Sequence, residues 1–550
     1  MFELSMDKII NAIASKLNVP NSNATHVNIL VVGLTIALVA LVMIHYRIVG
    51  KRGVVKLPPD PIPTFLVGNM NDIPVYEEWH AFTAWAKHFG GEIVYLRVFG
   101  TQMLILGSYR VANELLNKRG IIYSDRPPTP PMMDMAGFGD SLTVMGNNAD
   151  YRLRRRLFEQ HFRYSVIHRH QPTQIRETHK LLRKYLDSPA SWLDDTRYTV
   201  GAIILDIVYG YRVTSDRDEW VEIGERAGIN FQLAVKPGAW AVDFLPILRY
   251  VPTWFPFTGW KAFALDSTRI RKIQVCGAFE MAKKATREGT ANPSMVSYYL
   301  EENKNGGDIP EKVIMDIASD AYGAAVETTL SSIYGFLLQM TKHPQIQLKA
   351  QAELDRVCID RLPAFDDRKN LPYIEAIAME VGRWHPGVPQ GIAHRLEKDD
   401  KFEGMFLPKG SLIIPNIWGM CHDENIYESP NVFNPDRFME QAGDSSTVSL
   451  SQSNQDPRQM IFGFGRRQCP GRPFAESQVF FTMALILKVF NILPPVDAQG
   501  KEIVQPDAYR SGIVSLPKPF GCRFVPRSNA AADLIKQTES ERARRGEHRS

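Results

Sequence analysis

The chain has 550 residues, with 64 Lys and Arg against 60 Asp and Glu, a balance that argues against a nucleic-acid partner. Its five cysteines (Cys276, Cys358, Cys421, Cys469 and Cys522) are odd in number and scattered, which argues against a disulfide framework or a zinc site and for a reducing compartment. Length alone suggests three or four domains, yet no long linker divides the chain after residue 64, so one large helix-rich body is expected there.

In chain order, residues 2–17 place Leu4, Ile9, Ile10, Ile13 and Leu17 roughly on one helical face. An interfacial amphipathic helix and a frayed terminus both fit that pattern. Residues 27–44 carry no charge and as a helix span about 27 Å, close to a bilayer's hydrocarbon thickness. Arg47, Lys51, Arg52 and Lys56 follow. The positive-inside rule then predicts a lumenal segment 1–26, a single-pass anchor 27–46 and a cytosolic remainder. The sequon Asn23-Ala24-Thr25 makes Asn23 a candidate lumenal glycosylation site. Residues 47–63 form a basic hinge ending in Leu57-Pro58-Pro59-Asp60-Pro61-Ile62-Pro63, a stiff, extended spacer.

Residues 92–107 read as a β-hairpin with Gly100-Thr101 at the turn. Most of 108–355 reads helical, and 312–340 as one long helix. Strand pairs are expected near 401–415 and 508–526. The folded body is taken as 64–526, and the charged tail 527–550 is expected to be disordered.

The stretch Phe462-Gly463-Phe464-Gly465-Arg466-Arg467-Gln468-Cys469-Pro470-Gly471 is the most specific signal. A metal-ligating thiolate needs nearby positive charge and backbone donors. Gly465 and Gly471 permit tight turns and the approach of a flat cofactor. Phe462 can cover the sulfur, and Arg467 can reach an anion such as a haem propionate. A lone cysteine in such a turn is more often an ordinary buried thiol; the whole pattern reverses that weighting.

This loop resembles the cysteine-ligand loop of the cytochrome P450 family, Phe-x-x-Gly-x-Arg-x-Cys-x-Gly, at every specified position. Three further matches follow the family's order. Tyr151 and Arg155 share a helix face and resemble its Trp-x-x-x-Arg, with Tyr replacing Trp. Ala324-Ala325-Val326-Glu327-Thr328-Thr329 resembles its oxygen-activation motif, with Ala325 where glycine is usual. Glu380 and Arg383, with Arg437 of Phe433-Asn434-Pro435-Asp436-Arg437-Phe438, resemble its buried structural triad.

The resemblance covers about residues 57–526. It implies a mainly α fold with small β-sheets and haem b with Cys469 as its axial iron ligand. Tyr151, Arg155, Arg467 and His394 would bind the propionates. Thr328 and Glu327 would manage protons on the opposite face. The implied partners are dioxygen, an NADPH-dependent cytochrome P450 reductase, membrane lipid and an apolar small molecule. The implied location is the endoplasmic reticulum, with the catalytic body in the cytosol.

Residues 232–262, with Trp240, Trp254 and Trp260, read either as local core or as a lipid-facing lip. This block is similar to that of basidiomycete members of secondary metabolism, whose substrates are mainly terpenoids, with polyketides and indoles as alternatives. Met132, Phe138, Ala324, Val388, Gly391 and Ile513 are pocket candidates. Haem-thiolate rearrangement without monooxygenation, and non-catalytic haem binding, are the competing functions.

Overall fold

A computed structural model describes residues 56–65, 67–236, 238–441, 448–450 and 456–544. The segment 1–26 with Asn23, the anchor 27–46 and the hinge before Lys56 lie outside the described residues. Among those described, no helix is long and apolar enough to cross a membrane. The second half of the hinge belongs to the folded body. Its backbone lies along the sheet, where Pro59 accepts from the Tyr95 N–H at 2.9 Å and Lys56 from the Phe406 N–H at 2.7 Å.

The expected hairpin forms from β1 (Ile93–Val98) and β2 (Thr101–Leu106). Its turn sits one residue earlier than the sequence reading, on Phe99 (φ 46°) and Gly100 (φ 83°), the two left-handed residues that a tight hairpin loop demands. The helices that build the body are α1 (Ala149–Phe162), α2 (Gln171–Asp187), α3 (Trp192–Tyr209), α4 (Glu219–Ala234), α5 (Gly259–Glu288), α6 (Glu311–Lys342) and α7 (Pro372–Trp384).

Next come β3 (His394–Arg395) and β4 (Leu412–Pro415), then α8 (Arg472–Val489) and the strand pair β5 (Phe490–Leu493) and β6 (Arg523–Pro526). The main sheet runs β1-β2-β4-β3, with β4 parallel to β2 and antiparallel to β3. Helices dominate and the sheets are small, as the resemblance implies.

The largest core gathers side chains from α2, α3, α6 and α8. The middle of α6 is buried nearly all round, which its apolar composition requires. One strip departs from this: Gly323 and Ala324 are exposed, and Ala325 and Thr328 partly so. A central helix with one uncovered strip marks the wall of an internal cavity.

The tail corrects an expectation. From Asn529 to Arg544 the chain forms a helix, α9. Ala531 and Ile535 fall four apart on one face and are buried in the main core, and Arg183 donates to Thr538 Oγ1. Few apolar residues suffice because a preformed core receives them. Residues 545–550 lie outside the described residues.

Candidate active site

The loop before α8 determines where Cys469 sits. Gly471 caps α8, and Cys469 precedes that cap by two residues, so the helix N-terminus faces the sulfur. Phe462 accepts a hydrogen bond from the Cys469 N–H at 2.8 Å, which closes the loop on itself. The thiol is reachable from the cavity but lies deep beneath the outer surface. Burial pushes its pKa up, opposed by the Gly471 N–H, the Arg155 charge, and the N–H and charge of Arg472. Phe462 lines the cavity, with the Arg472 guanidinium 5.5 Å from its ring centre.

The two glycines have different reasons. Gly465 has φ 54°, and a Cβ there would stand 2.2 Å from the Leu116 carbonyl oxygen. The positive φ bears out the tight turn read from the sequence, and the close approach it permits here is to the chain at Leu116 and Asn117. At Gly471 an added Cβ would meet only the Cys469 sulfur, at 3.9 Å. That glycine leaves the sulfur uncovered.

One end of the cavity is cationic. Arg467 Nε donates to the Ser124 carbonyl at 2.7 Å, while its two terminal nitrogens are buried without a hydrogen-bond partner. Arg126 also lines the cavity. It donates to the carbonyls of Thr143 (3.0 Å), Ile392 (2.6 Å) and Ala393 (2.8 Å). Burial, and then the Arg467 charge, lower its pKa to about 9.

The sequence reading missed Arg126; a lone arginine before two prolines carries no periodic or motif signal. His394 lines the same end, with Nδ1 2.7 Å from the Tyr123 carbonyl. Burial, and then Arg126, hold its pKa well below the ordinary histidine value.

Tyr151 and Arg155 both line the cavity, as their shared face requires. Asn148 caps their helix by accepting from the Tyr151 N–H at 2.8 Å. The Tyr151 hydroxyl, however, donates to the Arg466 carbonyl at 3.0 Å, and the Arg467 guanidinium lies 3.6 Å over its ring. Tyr151 therefore props Arg467, in place of the direct anion contact expected of it. Arg155 Nε donates to Glu159 at 2.5 Å.

The opposite wall is α6. Thr328 lines the cavity, and its hydroxyl donates to the Ala324 carbonyl one turn earlier at 2.8 Å. Glu327 departs from expectation. It is buried off the cavity lining and is ion-paired with Arg197, which also meets Glu225 at 3.2 Å. One residue along a helix turns a side chain by about 100°, so the two motif neighbours face different surroundings.

Of the pocket candidates, Ala324, Val388 and Gly391 line the cavity, which encloses about 310 Å³. Met132 and Phe138 do not. Both are buried in a separate apolar cluster with Ala234, Val242 and Ala264. Ile513 also stands outside the lining.

Beneath the site, Glu380, Arg383 and Arg437 come together. Arg383 meets Glu380 at 2.7 and 2.8 Å, and Arg437 Nε meets it at 3.1 Å. All three lie away from the cavity lining.

Comparison with known proteins agrees with this architecture. The sequence profile described as Cytochrome P450 matches residues 58–524. The chain is 37% identical to cytochrome P450 monooxygenase claR of Ampulloclitocybe clavipes, covering 91% of this chain and 93% of that protein. It is 38% identical to cytochrome P450 monooxygenase 208 of Postia placenta, covering 92% and 96%. It is 32% identical to cytochrome P450 monooxygenase COX1 of Coprinopsis cinerea, covering 94% and 100%. A fold built around a cavity-facing cysteine, matched over nearly its whole length by these basidiomycete enzymes, identifies the chain as a member of the cytochrome P450 family and a monooxygenase.

Proposed function

We propose that this protein is a membrane-anchored haem-thiolate monooxygenase that oxidises an uncharged, apolar small molecule, with terpenoids as the leading class and polyketides or indoles next. The observation that carries the reading is the contrast between the two ends of one cavity. Arg467 and Arg126 are buried side by side, and the terminal nitrogens of Arg467 have no partner. Two such cations call for an anionic group, and haem propionates fit. Among the described residues no three His, Cys, Asp or Glu side chains stand together as a metal cluster. A metal at Cys469 therefore has to bring its other ligands, as an iron porphyrin does.

Cys469 would be the axial ligand, with Arg467, Arg126, His394 and Arg155 at the propionates. Gly471 and Phe462 would shape the sulfur's surroundings. When bound, the haem supplies dioxygen activation, helped by electron density from the thiolate. Thr328 faces the cavity with a hydroxyl able to hold and pass a proton. Glu327 stands one step behind it, available only when its ion pair with Arg197 parts. A cavity-facing Thr328 also weighs against haem-thiolate rearrangement, which needs no proton delivery.

On the α6 side the ionisable lining residue is Asp320, and Arg271 already pairs it at 3.2 Å. A charged substrate would find no free counter-charge there, and an apolar skeleton suits the lining. Exposed Ile247, Trp254 and Phe257 give the outer surface near α4 and α5 an apolar face that a bilayer would cover. Phe244 touches Phe99 at 4.9 Å, and Lys236 lies over Tyr76, which joins this face to the side where the chain enters the body. Trp240, by contrast, stacks on Phe263 and packs against the cluster of Met132 and Phe138.

The test is co-expression with an NADPH-dependent P450 reductase and feeding of terpenoid, polyketide and indole precursors. Expected is a product gaining one oxygen atom with matching NADPH and dioxygen use, and its loss in Cys469→Ala together with the thiolate-type spectrum of the reduced carbon-monoxide complex. Spectral binding without oxygen uptake for any precursor sinks the monooxygenase reading; a retained thiolate spectrum in Cys469→Ala sinks the ligand assignment.

A further inference from the structure

Asp320 lies on α6 two turns before Thr328, buried in the cavity wall. Its carboxylate is engaged by three residues from two parts of the chain, the 141–142 loop and α5. One oxygen accepts from Ser141 Oγ at 3.0 Å and from Arg271 Nη2 at 3.2 Å, and the other from the Leu142 N–H at 2.8 Å. Arg271, on α5, also donates to Gln274 at 2.9 Å and to Ser319, and lies 5.3 Å over the Phe138 ring.

Residues 141–143 follow the segment that packs in the Met132–Phe138 cluster and reach the cavity. Leu142 and Thr143 line it. The carbonyl of Thr143 receives Arg126 from the cationic end. Upstream, two neutral bonds add to the Arg271–Phe138 contact in tying the loop to α5, from Ser267 to the Ala136 carbonyl at 3.1 Å and from Thr268 to the Met135 carbonyl at 2.7 Å. Exposed ion pairs also hold the loop, Asp134 with Arg249 at 2.8 Å and Asp140 with Lys312 at 3.3 Å; the buried carboxylate that fastens it is Asp320.

We propose that Asp320 is a positioning residue for substrate admission: its carboxylate latches residues 141–143 between α5 and α6 and so sets how far the cavity wall opens for a bulky guest. Asp320 touches no reacting atom; it acts through Leu142 and Thr143. This rests on the haem reading of the cavity only for the choice of probe. Replacing Asp320 with Asn keeps the shape but substitutes an N–H₂ for one acceptor, so either the Leu142 N–H or the Ser141–Arg271 pair loses its partner. Loss of a charge-assisted bond of this kind shifts a local opening equilibrium by roughly tenfold or more.

The experiment uses the holoenzyme with two haem-ligating probes, imidazole and 4-phenylimidazole, followed by the Soret shift in stopped flow. Deuterium uptake in residues 131–145 is measured in parallel. In Asp320→Asn, and to a smaller extent in Ser141→Ala, 4-phenylimidazole should bind and leave roughly tenfold faster while imidazole affinity is unchanged. Uptake should rise in 131–145 and stay unchanged in α6 and α8. Unaltered 4-phenylimidazole rates with unaltered uptake in 131–145 overturn the latch. Uptake rising equally in α6 and α8, with weakened imidazole binding, also overturns it by showing a merely structural role. Should Asp320→Asn fail to fold, Ser141→Ala decides by the same readings. No Soret shift with imidazole in the unmodified protein would count against the haem reading, and deuterium uptake would still decide the latch.

Discussion

Arg383 and Arg467 are the same chemical group at similar depth, and the fold treats them in opposite ways. Arg383 is fully buried, and its three nitrogens donate to Glu380 and to the carbonyls of Cys421 (3.0 Å) and Pro430 (2.9 Å). Arg437 and the Asn434 N–H complete the shell around Glu380. Arg467 has one bond, to the Ser124 carbonyl, and two orphaned nitrogens beside a second cation. A buried polar group left unmade is costly to the protein alone. The first region is therefore scaffold, closed within the chain. The second is a receptor that becomes satisfied only when something anionic arrives.

Substitutions can break or sharpen that contrast, and the largest effect belongs to the closed region. Arg383→Leu strands Glu380 with only part of its shell. A loss of about 3–5 kcal/mol is expected, seen as a collapse of soluble, haem-loaded protein. If the variant keeps the unmodified protein's denaturant midpoint, the triad is not scaffold. Arg467→Met should do the reverse: the apoprotein midpoint holds or rises, while haem affinity falls at least about tenfold through two lost charge-assisted bonds. Denaturant unfolding of the apoprotein measures the first and haem titration the second.

On the opposite wall, Thr328→Ala removes only back-bonds within α6, to the carbonyls of Ala324 at 2.8 Å and Ala325 at 3.5 Å, so stability is kept. Product formed per NADPH should fall by roughly tenfold or more as proton delivery fails; an unchanged ratio removes Thr328 from that role.

The effect that is absent at neutral pH, and so the smallest there, is a pH term beside the closed region. Burial, and then Arg383, lower the His422 pKa to about 3. The unfolded chain takes up this proton near pH 6.5. The stabilisation is thus fully present above about pH 6.5 and is lost as pH falls toward the folded value, by about 1.4 kcal/mol per pH unit. His422→Gln should flatten the fall in unfolding free energy on acidification by that amount, and an unchanged slope places His422 outside this account.

Much of this was legible in the sequence wherever a local pattern carries it. The hairpin, the long α6, the cysteine loop and the triad members all depend on spacing within short segments or on one distinctive motif. The failures are equally local in cause. Glu327 and Thr328 are adjacent in the motif but face different partners, because Arg197 of α3 draws Glu327 away. Tyr151 carries a polar tip at the expected place, but the Arg466 carbonyl claims it. Met132 and Phe138 are apolar and near the cavity, yet they serve a separate cluster with residues more than ninety positions later. The tail 529–544 looked too charged to fold because the core that receives Ala531 and Ile535 is built by distant helices.

By itself the sequence determined the family, the identity of the cysteine, and the chemistry open to it, since these depend on residue type and short spacing. The tertiary structure alone decided which charges are already neutralised and which are left over. Arg126 joins Arg467 at the cationic end, and Asp320 meets Arg271 and Leu142, only because segments far apart in the chain are brought together. Charge pairing and burial depend on distance in space. Spacing along the chain does not encode that distance once the loops between helices have closed.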